Sequence, residues 1–122
     1  MTTKILGALL ASLLLTSAAL AHDPKPQNGG RATEAGDYHV ELVTKAGVVD
    51  VYLADHSNKA VSSAGHKGIA ILVVDGKSQR IVLEPAGETR LSGKAAGALP
   101  DAAKGVVQIT PPKGKTVQAR FN

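Results

Sequence analysis

The side chains in this sequence that could do chemistry are its four histidines and the carboxylates near them. Imidazole nitrogens and carboxylate oxygens are ligands of divalent transition metals such as Cu(II) and Zn(II). The candidate metal ligands are His22, His39, Glu41, Asp50, His56 and His66. The chain has no cysteine, and its one methionine is Met1, so thiolate sites and methionine-rich Cu(I) sites are excluded.

His39, Glu41 and Asp50 fall in one predicted β-hairpin, which covers residues 37–54. Apolar and polar residues alternate in both of its arms, and this period of two is typical of half-buried strands. The apolar residues of both arms share one face if the loop has an even number of residues, around residues 44–47. In that register Leu42 pairs with Val49 and Val40 with Val51, and Gly47 suits a left-handed turn position.

The same register predicts two carboxylates, Glu41 and Asp50, directly opposite each other on the outer face, with His39 opposite Tyr52. Facing carboxylates on neighbouring strands repel each other, and a bound cation would relieve that repulsion. The competing interpretation is a solvated polar face on which the carboxylates turn apart. The hairpin is therefore a candidate metal site on sequence grounds.

His22 is a candidate ligand because the residues before it have the character of a secretory signal peptide. A basic start is followed by apolar or small residues from 5 to 21, and residues 19–21 suit a signal peptidase. We expect residues 1–21 to be removed, with a retained membrane anchor as the alternative. A free α-amine and imidazole at His22 would then chelate a metal, although Pro24 offers no amide nitrogen as a further ligand.

The other two histidines, His56 and His66, lie in predicted loops. His56 belongs to a turn over residues 55–58, and His66 is in a loop with glycines nearby. Histidines in loops are commonly solvated rather than ligands. No two of the histidines are two or four residues apart, which is the spacing that marks a specific metal motif. Whether they come together in space therefore depends on the fold.

The pattern along the chain predicts an all-β protein. Residues 22–36 are polar and rich in Pro and Gly and are expected to form a flexible leader, whose end could begin an edge strand. Residues 37–122 are expected to form a single domain of about seven antiparallel strands, a β-sandwich with an immunoglobulin-like topology as one option. Its core would be aliphatic, since the chain has two Tyr, one Phe and no Trp.

Composition and motifs favour an exported protein that is not an enzyme. An export signal and a chain without cysteines fit a bacterial periplasm best. No serine stands in a nucleophile elbow and no Gly-rich phosphate loop opens a helix, so we expect no catalysis. The net charge of +4 is spread along the chain without a basic run, which argues against nucleic-acid binding.

Four stretches of the sequence resemble a group of small periplasmic β-proteins associated with heavy-metal efflux systems. They are Gly29-Gly30, Gly36-Asp-Tyr-His-Val-Glu-Leu-Val43, Val51-Tyr-Leu-Ala-Asp-His56 and Gln118-Ala-Arg-Phe121. The pattern is also similar to a β-domain of efflux adaptor proteins. The resemblance implies an efflux context and points to His39, Glu41, Tyr52, Asp55 and His56. Members often have a histidine before the glycine pair, where this chain has Asn28.

These observations lead to two expectations for function. The first is an exported, non-catalytic β-domain that binds or buffers a divalent transition metal, copper first, with Cu(II) or Zn(II) as the cofactor. The second is a structural or partner-binding module of an envelope or efflux complex. Neither includes a membrane span once the signal peptide has been removed.

Overall fold

The computed structural model describes residues 24–122, so the predicted signal peptide and His22 lie outside the described residues. Within this range the chain is all-β and antiparallel, as expected, with eight strands and no helix. The strands are β1 (Arg31–Ala35), β2 (Tyr38–Lys45), β3 (Val48–Ala54), β4 (Lys67–Val74), β5 (Lys77–Pro85), β6 (Arg90–Lys94), β7 (Lys104–Thr110) and β8 (Val117–Phe121). The described part therefore also has no helix long and apolar enough to cross a membrane.

The strands form one continuous sheet in the order β1-β2-β3-β6-β5-β4-β7-β8, which corrects the prediction of a seven-stranded, two-layer sandwich. The cause is β5, which is long enough to pair with a strand on each side and so joins the strands before it in the order to those after it. It pairs with β4 from Lys77 to Leu83 and then with β6 through Glu84 and Pro85. The two end strands, β1 and β8, lie side by side, so the sheet curls into a nearly closed barrel.

The inner face of this sheet is aliphatic, as the sequence predicted. Burial alternates along β3 and β4, because successive side chains of a strand point to opposite faces. The largest side chains that are fully enclosed are Leu42, Leu53, Leu72, Leu83, Leu91 and Ile109. Removing such aliphatic surface from water is the main contribution to the stability of a domain of this size.

The β2–β3 hairpin has the predicted faces but a different register. Its loop is even, as expected, but contains only Ala46 and Gly47. Both residues have positive φ, 50° and 78°, which is the tight turn whose twist matches that of the flanking strands. Because the loop is two residues shorter than residues 44–47, Val40 pairs with Leu53. The pairs predicted from the sequence, Leu42 with Val49 and Val40 with Val51, are wrong by two residues.

The sheet begins before the predicted hairpin, at β1, within the stretch for which a leader was expected. β1 and β2 are joined by a two-residue loop, Gly36 and Asp37, with φ of 54° at Gly36. Arg31 links β1 to the far end of the sheet. Its guanidinium lies 5.6 Å from the centre of the Phe121 ring on β8 and donates a hydrogen bond to the Ala103 carbonyl.

Candidate metal centre

Glu34 and His39 are direct partners in the β1–β2 ladder. The two-residue loop at Gly36 and Asp37 fixes this register, and partner side chains on neighbouring strands share one face. Glu34 Oε1 lies 3.5 Å from His39 Nε2. The His39 side chain retains 12% of its surface exposure and that of Glu34 47%, so the pair sits at the boundary between the protein and solvent.

His56 reaches the same face from the turn after β3. His39 pairs with Ala54 at the end of β3, so the chain enters this turn beside His39. The turn is closed by Asp55, whose Oδ1 accepts hydrogen bonds of 2.9 Å from the backbone amides of Ser57 and Lys59. This is an Asx turn, in which a side-chain oxygen satisfies backbone donors that no strand pairs.

Glu34, His39 and His56 together form what we call the two-histidine cluster. Each offers one ligand atom, and all three atoms lie within 4.8 Å of one another. The two imidazole rings have centres 5.3 Å apart and meet edge to face at 81°. Ligand atoms about 2 Å from a tetrahedral metal lie roughly 3 to 4 Å apart, so small side-chain rotations would bring these atoms onto one ion.

A fourth residue, Asn58, contacts the His39 ring. Asn58 Oδ1 lies 2.7 Å from His39 Nδ1, on the side of the ring away from Glu34. Asn58 itself stands at φ 61°, a left-handed position that Asn tolerates better than most residues. Its backbone amide donates to the Asp55 carbonyl at 3.0 Å. The turn therefore supplies both a candidate ligand, His56, and a hydrogen-bonding contact to the other histidine, His39.

Glu41 does not join the two-histidine cluster. It is buried at 6% exposure and faces Tyr52 rather than Asp50, which corrects the predicted carboxylate pair. Its two oxygens accept backbone hydrogen bonds of 2.8 to 3.1 Å from Gln27, Asn28 and Gly30, together with one of 3.1 Å from Asn28 Nδ2. Glu41 thus ties the segment before β1 onto β2.

Asp50 also lies apart from the cluster, between Val43 and Ser92 on its neighbouring strands. Its Oδ1 is buried and has no hydrogen-bond partner among the described residues. Close by on β6, a side-chain hydrogen bond with Tyr52 and, to a smaller extent, the charge of Asp50 raise the pKa of Arg90 above its ordinary value. Asp50 therefore lies near the positive charge of Arg90 and is not part of the two-histidine cluster.

His66 is buried at 6% exposure. Its Nδ1 lies 3.3 Å from the Ala64 carbonyl oxygen and its Nε2 3.2 Å from the Tyr38 hydroxyl. A carbonyl can only accept, so Nδ1 carries the hydrogen and Nε2 accepts from Tyr38 in the neutral ring. Both ring nitrogens are occupied by structural hydrogen bonds. Of the candidate histidines in the described range, the structure brings together His39 and His56 and leaves His66 apart.

A small cleft lies between the segment before β1 and strands β2 and β3. Its volume is about 190 Å³, below the roughly 300 to 1,000 Å³ of ordinary small-molecule pockets. His39 and Asn58 lie along it, together with Lys25 and Tyr52. A cleft of this size accommodates a few water molecules or a small ion beside the cluster, but no large organic substrate.

Two residues of the site, Glu34 and Asn58, were not among the predicted ligands. A signal for Glu34 was present, because a two-residue Gly-Asp loop between short strands places Glu34 opposite His39. Asn58 was identified only as a turn residue. Its contact with His39 depends on how the turn folds back over β2, which no spacing in the sequence reveals.

Comparison of the chain with protein-family models, curated proteins and solved structures finds no match. The resemblance to efflux-associated β-proteins therefore stays a prediction. What supports a site is the geometry of Glu34, His39 and His56.

Proposed function

We propose that this protein is a non-catalytic β-domain that binds or buffers a divalent transition metal through Glu34, His39 and His56. The observation that carries the proposal is the approach of three ligand atoms, from two imidazoles and a carboxylate, to within 4.8 Å of one another. Copper(II) is the first candidate, because nitrogen and oxygen ligands bind it most tightly among the divalent metals of the first row, and zinc(II) is the second.

The arrangement favours a metal over a simple ion pair between His39 and Glu34. An ion pair needs one imidazole, and its 3.5 Å separation is already sufficient for it. The second imidazole, His56, adds nothing to that pair, because two protonated rings so close together would repel each other. Two neutral rings beside a carboxylate would instead offer two electron pairs and a negative charge within 4.8 Å of one another, which is what a cation requires.

Location in the periplasm belongs to this proposal. It is supported by the signal-like character of residues 5–21 and by the absence of cysteine from the sequence. An exposed site held on a rigid sheet suits a buffer, because metal can enter and leave without the domain opening.

Calorimetric titration of the purified protein with Cu(II) and with Zn(II) tests the proposal. We expect one ion per chain in the unaltered protein and loss of this binding in His39→Ala and in His56→Ala. Asp101→Asn is the matched control, an exposed carboxylate beside Thr44 at the opposite end of β2. Absence of binding heat would overturn the proposal, and so would binding that survives both histidine changes.

A second function, as a partner-binding module of an envelope complex, is favoured by one specific observation. Two large apolar side chains on the outer face of the sheet are exposed, Val73 at 44% and Val82 at 55%. Val82 pairs with the half-buried Ile69, so the apolar surface extends across β4 and β5. Capture of an efflux adaptor by the unaltered protein, and its loss in Val73→Ser/Val82→Ser without any effect of metal, would support this function over the first.

A further inference from the structure

We infer that Asn58 is a positioning residue that holds His39 in the tautomer with hydrogen on Nδ1, leaving Nε2 free to bind the metal. This inference rests on the proposed function for its consequence, but the state of the His39 ring can be measured without any metal. The geometry that carries it is the contact of 2.7 Å between His39 Nδ1 and Asn58 Oδ1.

The two nitrogens of His39 face different chemical surroundings. Nδ1 faces a carboxamide oxygen, which can only accept, so Nδ1 must donate. Nε2 faces Glu34 Oε1 at 3.5 Å, beyond the roughly 2.7 to 3.2 Å of an ordinary N–H···O hydrogen bond, so Glu34 competes weakly for the ring hydrogen. A ring whose hydrogen is held at Nδ1 therefore presents its electron pair at Nε2, towards Glu34.

Asn58 can perform this role because the backbone that carries it is fixed. Its backbone amide donates to the Asp55 carbonyl at 3.0 Å, and the amide of Asp55 donates to the Lys59 carbonyl at 2.8 Å. The Asp55 side chain closes the turn further through Ser57 and Lys59. A backbone anchored in this way keeps the short Asn58 side chain beside His39, where its oxygen can select one tautomer.

The expected consequence is a preorganised metal ligand. Histidines that bind metals usually donate their second ring N–H to a carbonyl or carboxylate, and loss of that partner typically lowers affinity about 10- to 100-fold. Without Asn58, the His39 ring would also populate the tautomer with hydrogen on Nε2. That form cannot bind a metal on the side of Glu34 until its proton moves.

Two substitutions at Asn58 distinguish the contribution of its side chain from that of its backbone conformation. Asn58→Gly removes the carboxamide but keeps the left-handed conformation, which glycine adopts without strain. Asn58→Asp keeps an oxygen acceptor and strengthens the hydrogen bond from Nδ1. Ser57→Ala is the control within the same turn, because in the described contacts Ser57 takes part through its backbone amide.

The readout is the pair of ¹⁵N chemical shifts of the His39 ring, recorded on the metal-free protein at a pH where the ring is neutral. We expect a pyrrole-type Nδ1 and a pyridine-type Nε2 in the unaltered protein, in Asn58→Asp and in Ser57→Ala. In Asn58→Gly both shifts should move towards the opposite tautomer, and Cu(II) affinity should fall about 10- to 100-fold.

The two proposals fail in different ways. A pyridine-type Nδ1 in the unaltered protein, or unchanged shifts in Asn58→Gly, would overturn the role of Asn58 even if metal binds. The expected shifts in a protein that gives no metal titration would uphold the role of Asn58 and overturn the proposed function. Affinity that falls equally in Ser57→Ala would indicate a general effect of the turn and overturn the specific role of Asn58.

Discussion

Glu34 and His39 are cross-strand partners, with Oε1 of one 3.5 Å from Nε2 of the other. The two-residue loop between β1 and β2 sets this relationship, and the turn after β3 brings His56 to the same place. The site is thus a product of two tight turns at one end of the sheet. Its candidate ligands come from three successive segments, so the cluster exists only where both hairpins have formed.

Metal affinity should fall as the pH is lowered from about 8 to about 5. Imidazole nitrogens must be free of protons to bind a metal, so binding releases protons and acid opposes it. Competition titrations with a chromophoric chelator across this range would measure the effect. Affinity that is constant over the range would show that His39 and His56 are not the ligands.

Glu41→Gln should destabilise the protein by about 2 kcal/mol, because an amide group replaces one of the two oxygens through which the buried carboxylate accepts backbone N–H groups. The backbone amides of Gln27, Asn28 and Gly30 should also exchange hydrogen faster. Urea unfolding and hydrogen exchange measure the two effects, and Glu84→Gln, an exposed carboxylate on β5, is the control.

The same variant tests the distinction between Glu41 and the two-histidine cluster. Because Glu41 contacts the segment before β1 rather than the cluster, its replacement should leave Cu(II) affinity of the folded protein unchanged. A loss of binding as large as that caused by His39→Ala would instead make Glu41 a ligand. Unchanged stability would contradict the role of Glu41 in tying down residues 27–30.

Ala46→Gly should stabilise the protein by about 1 kcal/mol. Ala46 has a φ of 50°, and a left-handed conformation costs a residue with a Cβ roughly 1 to 2 kcal/mol, part of which the greater freedom of glycine in the unfolded chain offsets. Ala46→Asn should have the same sign, since Asn-Gly is a preferred two-residue loop. Thermal and urea unfolding measure the change, and a lower midpoint in both variants would contradict the strained turn.

Arg31→Ala should destabilise the protein by about 1 to 2 kcal/mol through loss of the contact with the Phe121 ring and of the hydrogen bond to Ala103. Arg31→Lys should recover little of this, because an ammonium group lacks the planar fork of guanidinium. Arg120→Ala, an exposed arginine on β8, is the control. Equal stability of all three variants would show that Arg31 does not hold β1 against β8.

Much of the local structure could be predicted from single stretches of sequence. Alternation identified β2 and β3, and Gly47 was correctly expected at a left-handed position of the turn between them. These features depend on a few neighbouring residues, whose chirality and side-chain volume limit the backbone locally. The hairpin register was wrong because alternation fixes which faces match but allows shifts of two residues, so loop length decides between them.

The closing of the sheet could not be predicted in this way. The sequence of β5 has the pattern of an ordinary strand. Its pairing with both β4 and β6 follows from how the whole sheet curls around its core. The side-by-side position of β1 and β8, the first and last strands, likewise depends on packing across the entire chain. A sandwich and a nearly closed barrel bury the same alternating residues, so the pattern alone does not distinguish them.

The sequence by itself determined the all-β class, the aliphatic inner face and the types of side chain available for chemistry, because these depend on composition and short-range periodicity. Only the tertiary structure decided that Glu34, His39 and His56 meet, that Asn58 contacts His39, and that Glu41 and His66 are occupied elsewhere. The physical reason is that the first set of features depends on neighbouring residues, whereas the second depends on contacts between different strands and turns. A ligand set requires atoms from separate strands and turns to agree within an ångström or so, and that agreement comes from register, turn geometry and packing acting together.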